Sequence, residues 1–134
     1  MSGLVLKLGP RERVLVNGAV IENGDKRTRV CVLTPNAHIL RLRDAIHPEE
    51  VNTPVRRVCY ILQLVLSGDA EVGKAHTQVL RGIEQLSQVF RDGDSQRLLA
   101  EATAEVTAGR AYQALRALRA LLPRETRLLQ VPPS

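Results

Sequence analysis

The stretch Arg13-Val14-Leu15-Val16-Asn17-Gly18-Ala19-Val20-Ile21-Glu22 decides the first half of the fold. Val14 and Val16 alternate with Leu15, the two-residue period of a strand. Asn17-Gly18 supplies the central pair of a type I′ turn, where both positions take positive φ. Ala19 to Glu22 is then the returning strand. Upstream, Leu4, Leu6 and Leu8 alternate with Val5 and Lys7 as a further strand, punctuated by Gly9-Pro10. Downstream, Asn23-Gly24-Asp25 signals a second tight turn. Arg27 to Leu33 reads as a strand with Thr28, Val30 and Val32 on one face and Arg27, Arg29 and Cys31 on the other. Thr34-Pro35-Asn36 breaks it. His38 to Arg43 is a last short strand, with Ile39, Arg41 and Arg43 sharing a side.

The apolar spacing turns helical after His47-Pro48. Adjacent Glu49 and Glu50 suit the polar start of a helix, and Pro54 suits a first turn, where its missing N–H costs little. Val55 to Ser67 is apolar on nearly every side except at Arg56, Arg57 and Gln63, so it is expected to be the central, buried helix. Ser67-Gly68-Asp69 stops it. Val72, Ala75, Val79, Ile83, Leu86 and Phe90 form an amphipathic stripe for a second helix, which Asp92-Gly93-Asp94 ends. A third, capped by Asp94 or Ser95, carries Leu98, Leu99, Ala102 and Val106 and closes at Gly109. A fourth carries Ala111, Leu115, Leu118, Leu121 and Leu122 and ends before Pro123. The tail with Val131-Pro132-Pro133 reads as frayed.

The expected class is therefore α+β. A small antiparallel sheet of about five short strands is followed by a bundle of about four helices. Residues 1–46 form the β segment and 47–134 the helical bundle, and the two are able to share one compact unit. The 134 residues are 44% hydrophobic and 25% charged, enough for a real core. The longest apolar run, Val58 to Leu66, is interrupted by Gln63 and is too short to span a bilayer, so no membrane partner is expected. The first residues lack an A-x-A cleavage site, which points to a cytoplasmic protein. Cys31 and Cys59 have no C-x-x-C spacing and sit in apolar patterns, so both read as buried thiols in a reducing compartment.

Catalytic signatures are weak. Gly68-Asp69-Ala70-Glu71-Val72-Gly73-Lys74 matches part of a phosphate loop. However, Ala75 stands where a Ser or Thr must reach magnesium, and the segment follows a helix rather than a strand. His38, His47 and His76 lie outside ligand spacing of one another and of the cysteines, so no metal site is expected. No nucleophile–base pair can be assigned, and no enzyme activity or cofactor is expected.

Charge is more informative. The net charge is +5. Residues 1–46 carry eight basic groups against the four acids Glu12, Glu22, Asp25 and Asp44, a net of +4 in the first third of the chain. A basic surplus favours polyanions, because neutralising phosphates releases condensed counterions. Alternation groups Arg27 with Arg29, and Arg41 with Arg43, with Lys7 and Arg13 as candidates to join them. Arginine suits the task because its planar fork holds a phosphate or base edge with two hydrogen bonds. All three aromatic residues, Tyr60, Phe90 and Tyr112, fall in the helical half. The sheet thus has no base-stacking platform, and RNA contact would rest on arginines and strand edges.

Several segments carry a resemblance. The run Gly3 to Val14, the hairpin Val16 to Gly24, the stretch Asn52-Thr53-Pro54-Val55-Arg56-Arg57 and the ending Arg110 to Pro123 are similar to the FlbT family, over almost the whole chain. The resemblance implies a bacterial post-transcriptional repressor of flagellin synthesis. Such a protein associates with the 5′ untranslated region of flagellin mRNA and lowers its translation or stability. It also implies work alongside a second flagellar regulator, FlaF, as a candidate partner.

Residues 1–46 are in addition laid out like the CsrA family of RNA-binding proteins. The shared features are Leu4-Val5-Leu6, Gly9, Val14 to Val16, Arg29 to Val32, a loop with Pro35, and Leu42 to Ile46. That likeness implies a homodimer through the β segment and makes Arg43 the leading base-contacting residue. The loop here is one residue longer, and Pro10 follows Gly9, two departures from that layout that leave its register open. The candidate RNA-binding set is accordingly Arg27, Arg29, Arg41, Arg43, Lys7 and Arg13. The alternative is an adaptor that acts on flagellin expression by gripping a flagellar protein. Arg116 and Arg119, three apart on the last helix, are its candidate partner-binding residues.

Overall fold

The computed structural model describes residues 3–130. Five strands precede five helices: β1 Leu4–Leu8, β2 Arg13–Val16, β3 Ala19–Glu22, β4 Thr28–Val32, β5 Ile39–Arg41, then α1 Pro54–Leu66, α2 Val72–Ser87, α3 Gly93–Thr107, α4 Ala111–Arg119 and α5 Leu122–Leu129. The architecture is α+β, as the sequence predicts. The frayed tail read at Val131 to Pro133 lies outside the described residues.

The strands form two antiparallel sheets. β1 pairs with β4 as a two-stranded ribbon, and β2 lies between β3 and β5. The β2–β3 hairpin turns on Asn17 and Gly18, with φ of 47° and 86°, the left-handed pair that a type I′ turn requires. In the three-stranded sheet, Val14 and Val16 face the ribbon and pack with Leu6, Leu8 and Ile39. Leu15 and Leu40, opposite each other in register, point the other way into the helical core. The molecule is thus layered as ribbon, sheet and helices. Tyr112 on α4 touches both apolar clusters.

α1 is the central helix. It buries Val55, Val58, Cys59, Leu62, Val65 and Leu66. Its N-terminus is capped by Thr53, whose hydroxyl accepts from the Arg56 N–H, and its C-terminus closes with Gly68 at φ 83°. There Gly68 N–H donates to Val65 and Asp69 N–H to Leu64, a Schellman motif. Gln63, the polar break in the apolar run, has a specific task. Its amide oxygen accepts from Ile46 N–H at 2.7 Å and its amide nitrogen donates to Ile46 C=O at 3.0 Å. It therefore ties the connector between the two halves to the central helix and satisfies both backbone groups.

In the helical half, three boundaries differ from the sequence reading. Glu49 and Glu50 fall in a single 3-10 turn, Pro48–Glu50, ahead of α1. α3 begins two or three residues earlier than expected, because Asp92 is the cap, accepting from Ser95 N–H at 3.0 Å. The Ser95 hydroxyl, together with that N–H, holds the Asp92 carboxyl below its ordinary range. The expected fourth helix is two: α4 stops at Arg119, and Pro123 sits in the first turn of α5 rather than ending a helix. α5 is fixed by polar contacts that periodicity cannot show. Glu125, buried, accepts from Val55 N–H at 2.9 Å, and Arg124 donates to Asp92 and to buried Ser95.

Gly82 sets the closest approach of α1 and α2, since a Cβ there would sit 2.6 Å from Val58 Cγ2. Gly82→Ala should destabilise the protein by about 1–2 kcal/mol, overpacking outweighing the helix propensity that alanine gains. The paired change with Val58→Ala should lose less than the sum of the single changes. Urea unfolding of the four proteins checks this, and additivity would count against the contact.

Candidate nucleic-acid interface

The ribbon β1–β4 is the outermost layer. In its register Leu4, Leu6 and Leu8 face Val32, Val30 and Thr28, while Val5 faces Cys31 and Lys7 faces Arg29. Leu6 and Leu8 are buried against the sheet beneath, so Val5, Lys7, Arg29 and Cys31 necessarily point outward. Arg27, just ahead of β4, continues the same side. Lys7, Gly9, Arg27, Thr28, Arg29 and Arg43 line one open groove of ≈ 420 Å³. Among the described residues, Lys7, Arg27 and Arg29 take part in no ion pair. Their charge is therefore available to an anionic ligand.

The remaining arginines of the β segment are divided by one carboxylate. Gly9-Pro10-Arg11-Glu12 is a tight turn, with Glu12 N–H donating to Gly9 C=O and Arg11 at φ 59°. The turn folds the Glu12 side chain inward, where only 7% of it is exposed. One carboxylate oxygen accepts from Gly9 N–H at 2.9 Å. The other lies 3.5 Å from Arg41 Nη1 and 3.4 Å from Arg43 Nε. Arg41 also donates from Nη2 to Lys7 C=O at 2.7 Å and is only 12% exposed along its side chain. It joins the ribbon to the sheet instead of facing solvent.

Arg41 and Arg43 do not share a strand face, because β5 ends at Arg41 and Arg43 lies in the 3-10 turn Leu42–Asp44. Arg43 keeps 60% of its side chain exposed and reaches the groove. Arg13 is exposed but engaged, its Nε donating to Glu22 at 2.9 Å. That contact, with Arg11 nearby, holds the Glu22 carboxyl below its ordinary range.

The helical candidates separate as well. Arg119 turns inward, donating to Asp44 C=O at 3.0 Å and pairing with the Asp44 carboxylate at 3.3 Å. Arg116 remains exposed. The phosphate-loop lookalike is the α1–α2 turn, with Gly68 closing α1 and Lys74 exposed in the first turn of α2. His38 and His76 share the wall of a small cavity of ≈ 40 Å³. No group of three or more metal-ligating side chains occurs among the described residues, and no helix there is long and apolar enough to cross a membrane.

Sequence reasoning missed Glu12 and Asn23. Asn23 Nδ2 donates to Gly9 C=O and to Lys26 C=O, which holds the turn before β2 against the loop before β4. Neither residue belongs to a periodic pattern. The available signals were a carboxylate set between two arginines and the turn pair Asn23-Gly24, neither of which names its partners.

The fold and this surface define a small α+β protein, a cationic β ribbon carried on a helical base. The family described as "Flagellar protein FlbT" matches residues 4–129. The "Probable flagellum biosynthesis repressor protein FlbT" of Allorhizobium ampelinum is 32% identical over 128 residues, 96% of this chain and 85% of that relative. The protein of the same description from Rhodopseudomonas palustris is 34% identical over 128 residues, 94% of this chain and 97% of that relative. The "Flagellum biosynthesis repressor protein FlbT" of Caulobacter vibrioides is 32% identical over 89 residues, 66% of this chain and 62% of that relative. No solved structure matches the chain. The chain belongs to the FlbT family, whose members named above are described as flagellum biosynthesis repressors.

The two thiols differ, against the expectation that both are buried. Cys31 is exposed on the outer ribbon face, whereas Cys59 is buried in α1, and burial pushes its thiol up to about 12. A thiolate-specific reagent at pH 8 should modify one cysteine in the folded protein and two after unfolding. Peptide mapping should place the first adduct on Cys31. Rapid native labelling of Cys59 would contradict the packing of α1.

Proposed function

We propose that this protein represses flagellin synthesis by binding the 5′ leader of flagellin mRNA through the groove of the outer ribbon. Lys7, Arg27, Arg29 and the free end of Arg43 hold the phosphate backbone. The family membership supports a repressor role in flagellum biosynthesis. The observation that carries the RNA reading is the convergence of four cations on one groove, three of them free of ion pairs among the described residues.

The chemistry follows from the residue types. Guanidinium groups spaced along a ribbon match successive phosphates of a single strand. With no aromatic side chain on the ribbon, affinity rests on charge and on hydrogen bonds from the exposed β4 edge, so it is strongly salt-dependent. Arg41 and Arg13 contribute little directly, because each is committed to a carboxylate within the chain.

The test is a mobility-shift titration of a flagellin leader RNA across a salt series. Arg27→Ala with Arg29→Ala should weaken binding and lower the slope of log K against log salt by about 1.4, two single-strand phosphate contacts at about 0.7 each. Arg13→Ala should change the slope little. Absence of a salt-sensitive shift for the unaltered protein, or an unchanged slope in the double variant, would refute the reading.

A further inference from the structure

The helical half has its own candidate surface, independent of the ribbon. α1 and α2 run antiparallel through a short turn, and between them lies a groove of ≈ 330 Å³. Its residues recur at helical spacing on both walls. Pro54, Arg57, Val58 and Ile61 come from α1, and Gln78, Arg81, Gly82 and Gln85 from α2, with Leu86 and Val89 beyond. Each wall therefore spans about 10 Å, two helical turns.

The floor is apolar, made by Val58, Leu86 and the bare backbone of Gly82, whose missing side chain deepens it. Val89, just past the end of α2, stands 64% exposed at one end, a large aliphatic left in water. Arg57 and Arg81 form the rim, and both are exposed. Neither joins an ion pair or donates a side-chain hydrogen bond among the described residues, whereas neighbouring Arg56 and Arg91 both bond to backbone carbonyls. No carboxylate lines the groove.

An apolar floor two turns long, flanked by free cations and glutamine amides, complements an amphipathic helix with acidic edges. We infer that this groove docks an acidic amphipathic helix of another protein. Its apolar residues at i, i+3, i+4 and i+7 fill the floor, and its Asp and Glu side chains pair with Arg57 and Arg81. A nucleic acid would leave the apolar floor and Val89 unused. A second copy of this chain would have to bring its own acidic helix face.

A photo-crosslinking amino acid at Gln85, introduced in cells in the full-length protein, tests this, with the same residue at Arg116 as a control site. The expected adduct is a segment of a different protein, net acidic, with apolar residues at three- and four-residue spacing. Arg57→Glu with Arg81→Glu should reduce that adduct at least tenfold. A synthetic peptide of the segment should bind the unaltered protein in an anisotropy titration. Its Lys-for-Glu version should prefer the charge-reversed protein. If the reversed protein is unfolded by circular dichroism, Val89→Asp replaces it with the same tenfold expectation. Adducts on nucleic acid, on a second copy of this chain or on a segment without acidic residues would overturn the proposal. No adduct, or an adduct indifferent to the substitutions, would do the same.

Discussion

Strands β2 and β5 of the central sheet are covered on both faces, whereas β3 stands exposed, and the rest of the molecule depends on that covered pair. Val14 and Ile39 face the ribbon, while Leu40, supported by Leu15, packs into the helical core. A shift of one residue in β2 or β5 would exchange these two sets and present each layer with side chains fitted to the other. Hydrophobic burial on this scale contributes about 1.5–3 kcal/mol per large aliphatic side chain, which makes the register costly to change. The short strands are therefore held less by their own pairing than by the layers on either side. The ribbon, marginal as two isolated strands, is stable because Leu6 and Leu8 seal one face of that sheet.

Within that frame a single desolvated carboxylate sorts the arginines. Glu12 is folded inward by its turn, and a buried carboxylate needs partners. It takes Gly9 N–H and Arg41, and it holds Arg43 by one nitrogen. Arg41 in turn clasps the β1 backbone at Lys7. The same cluster that closes the sandwich thus decides which cations stay in solvent. Lys7, Arg27 and Arg29 are free of ion pairs among the described residues, while Glu12 and Glu22 lie within ion-pair distance of other arginines. The positions of the cations in the groove follow from the packing beneath it.

Much of the fold could be read from residue patterns. Asn17-Gly18 and the alternation of Leu4 to Leu8 and Val14 to Val16 defined the strands, because a half-buried sheet imposes a period of two. The stripes of α1 and α2 were legible for the equivalent helical reason. The division between α4 and α5 was not, since Pro123 serves equally well to end one helix or to begin another. Only the contacts of Arg124 and Glu125 with distant residues decide between them. For the candidate site, the basic bias of the first third was visible in the sequence, and so was the pairing of Arg27 with Arg29. The commitment of Arg41, Arg119 and Arg13 to internal partners was not, because it depends on carboxylates and carbonyls brought near by the tertiary fold. Cys31 was misread as buried for a related reason. β4 is an edge strand, and its outer face has no covering layer.

The central claim is that RNA meets the outer ribbon and that the helices lie behind it. Ultraviolet crosslinking of the protein to a flagellin leader RNA, with mass-spectrometric mapping of the modified residues, tests it most directly. Adducts should concentrate on residues 5–9 and 26–31 and near Arg43, and should fade as salt is raised. Adducts concentrated on α1 to α5, with the ribbon unmodified, would contradict the account.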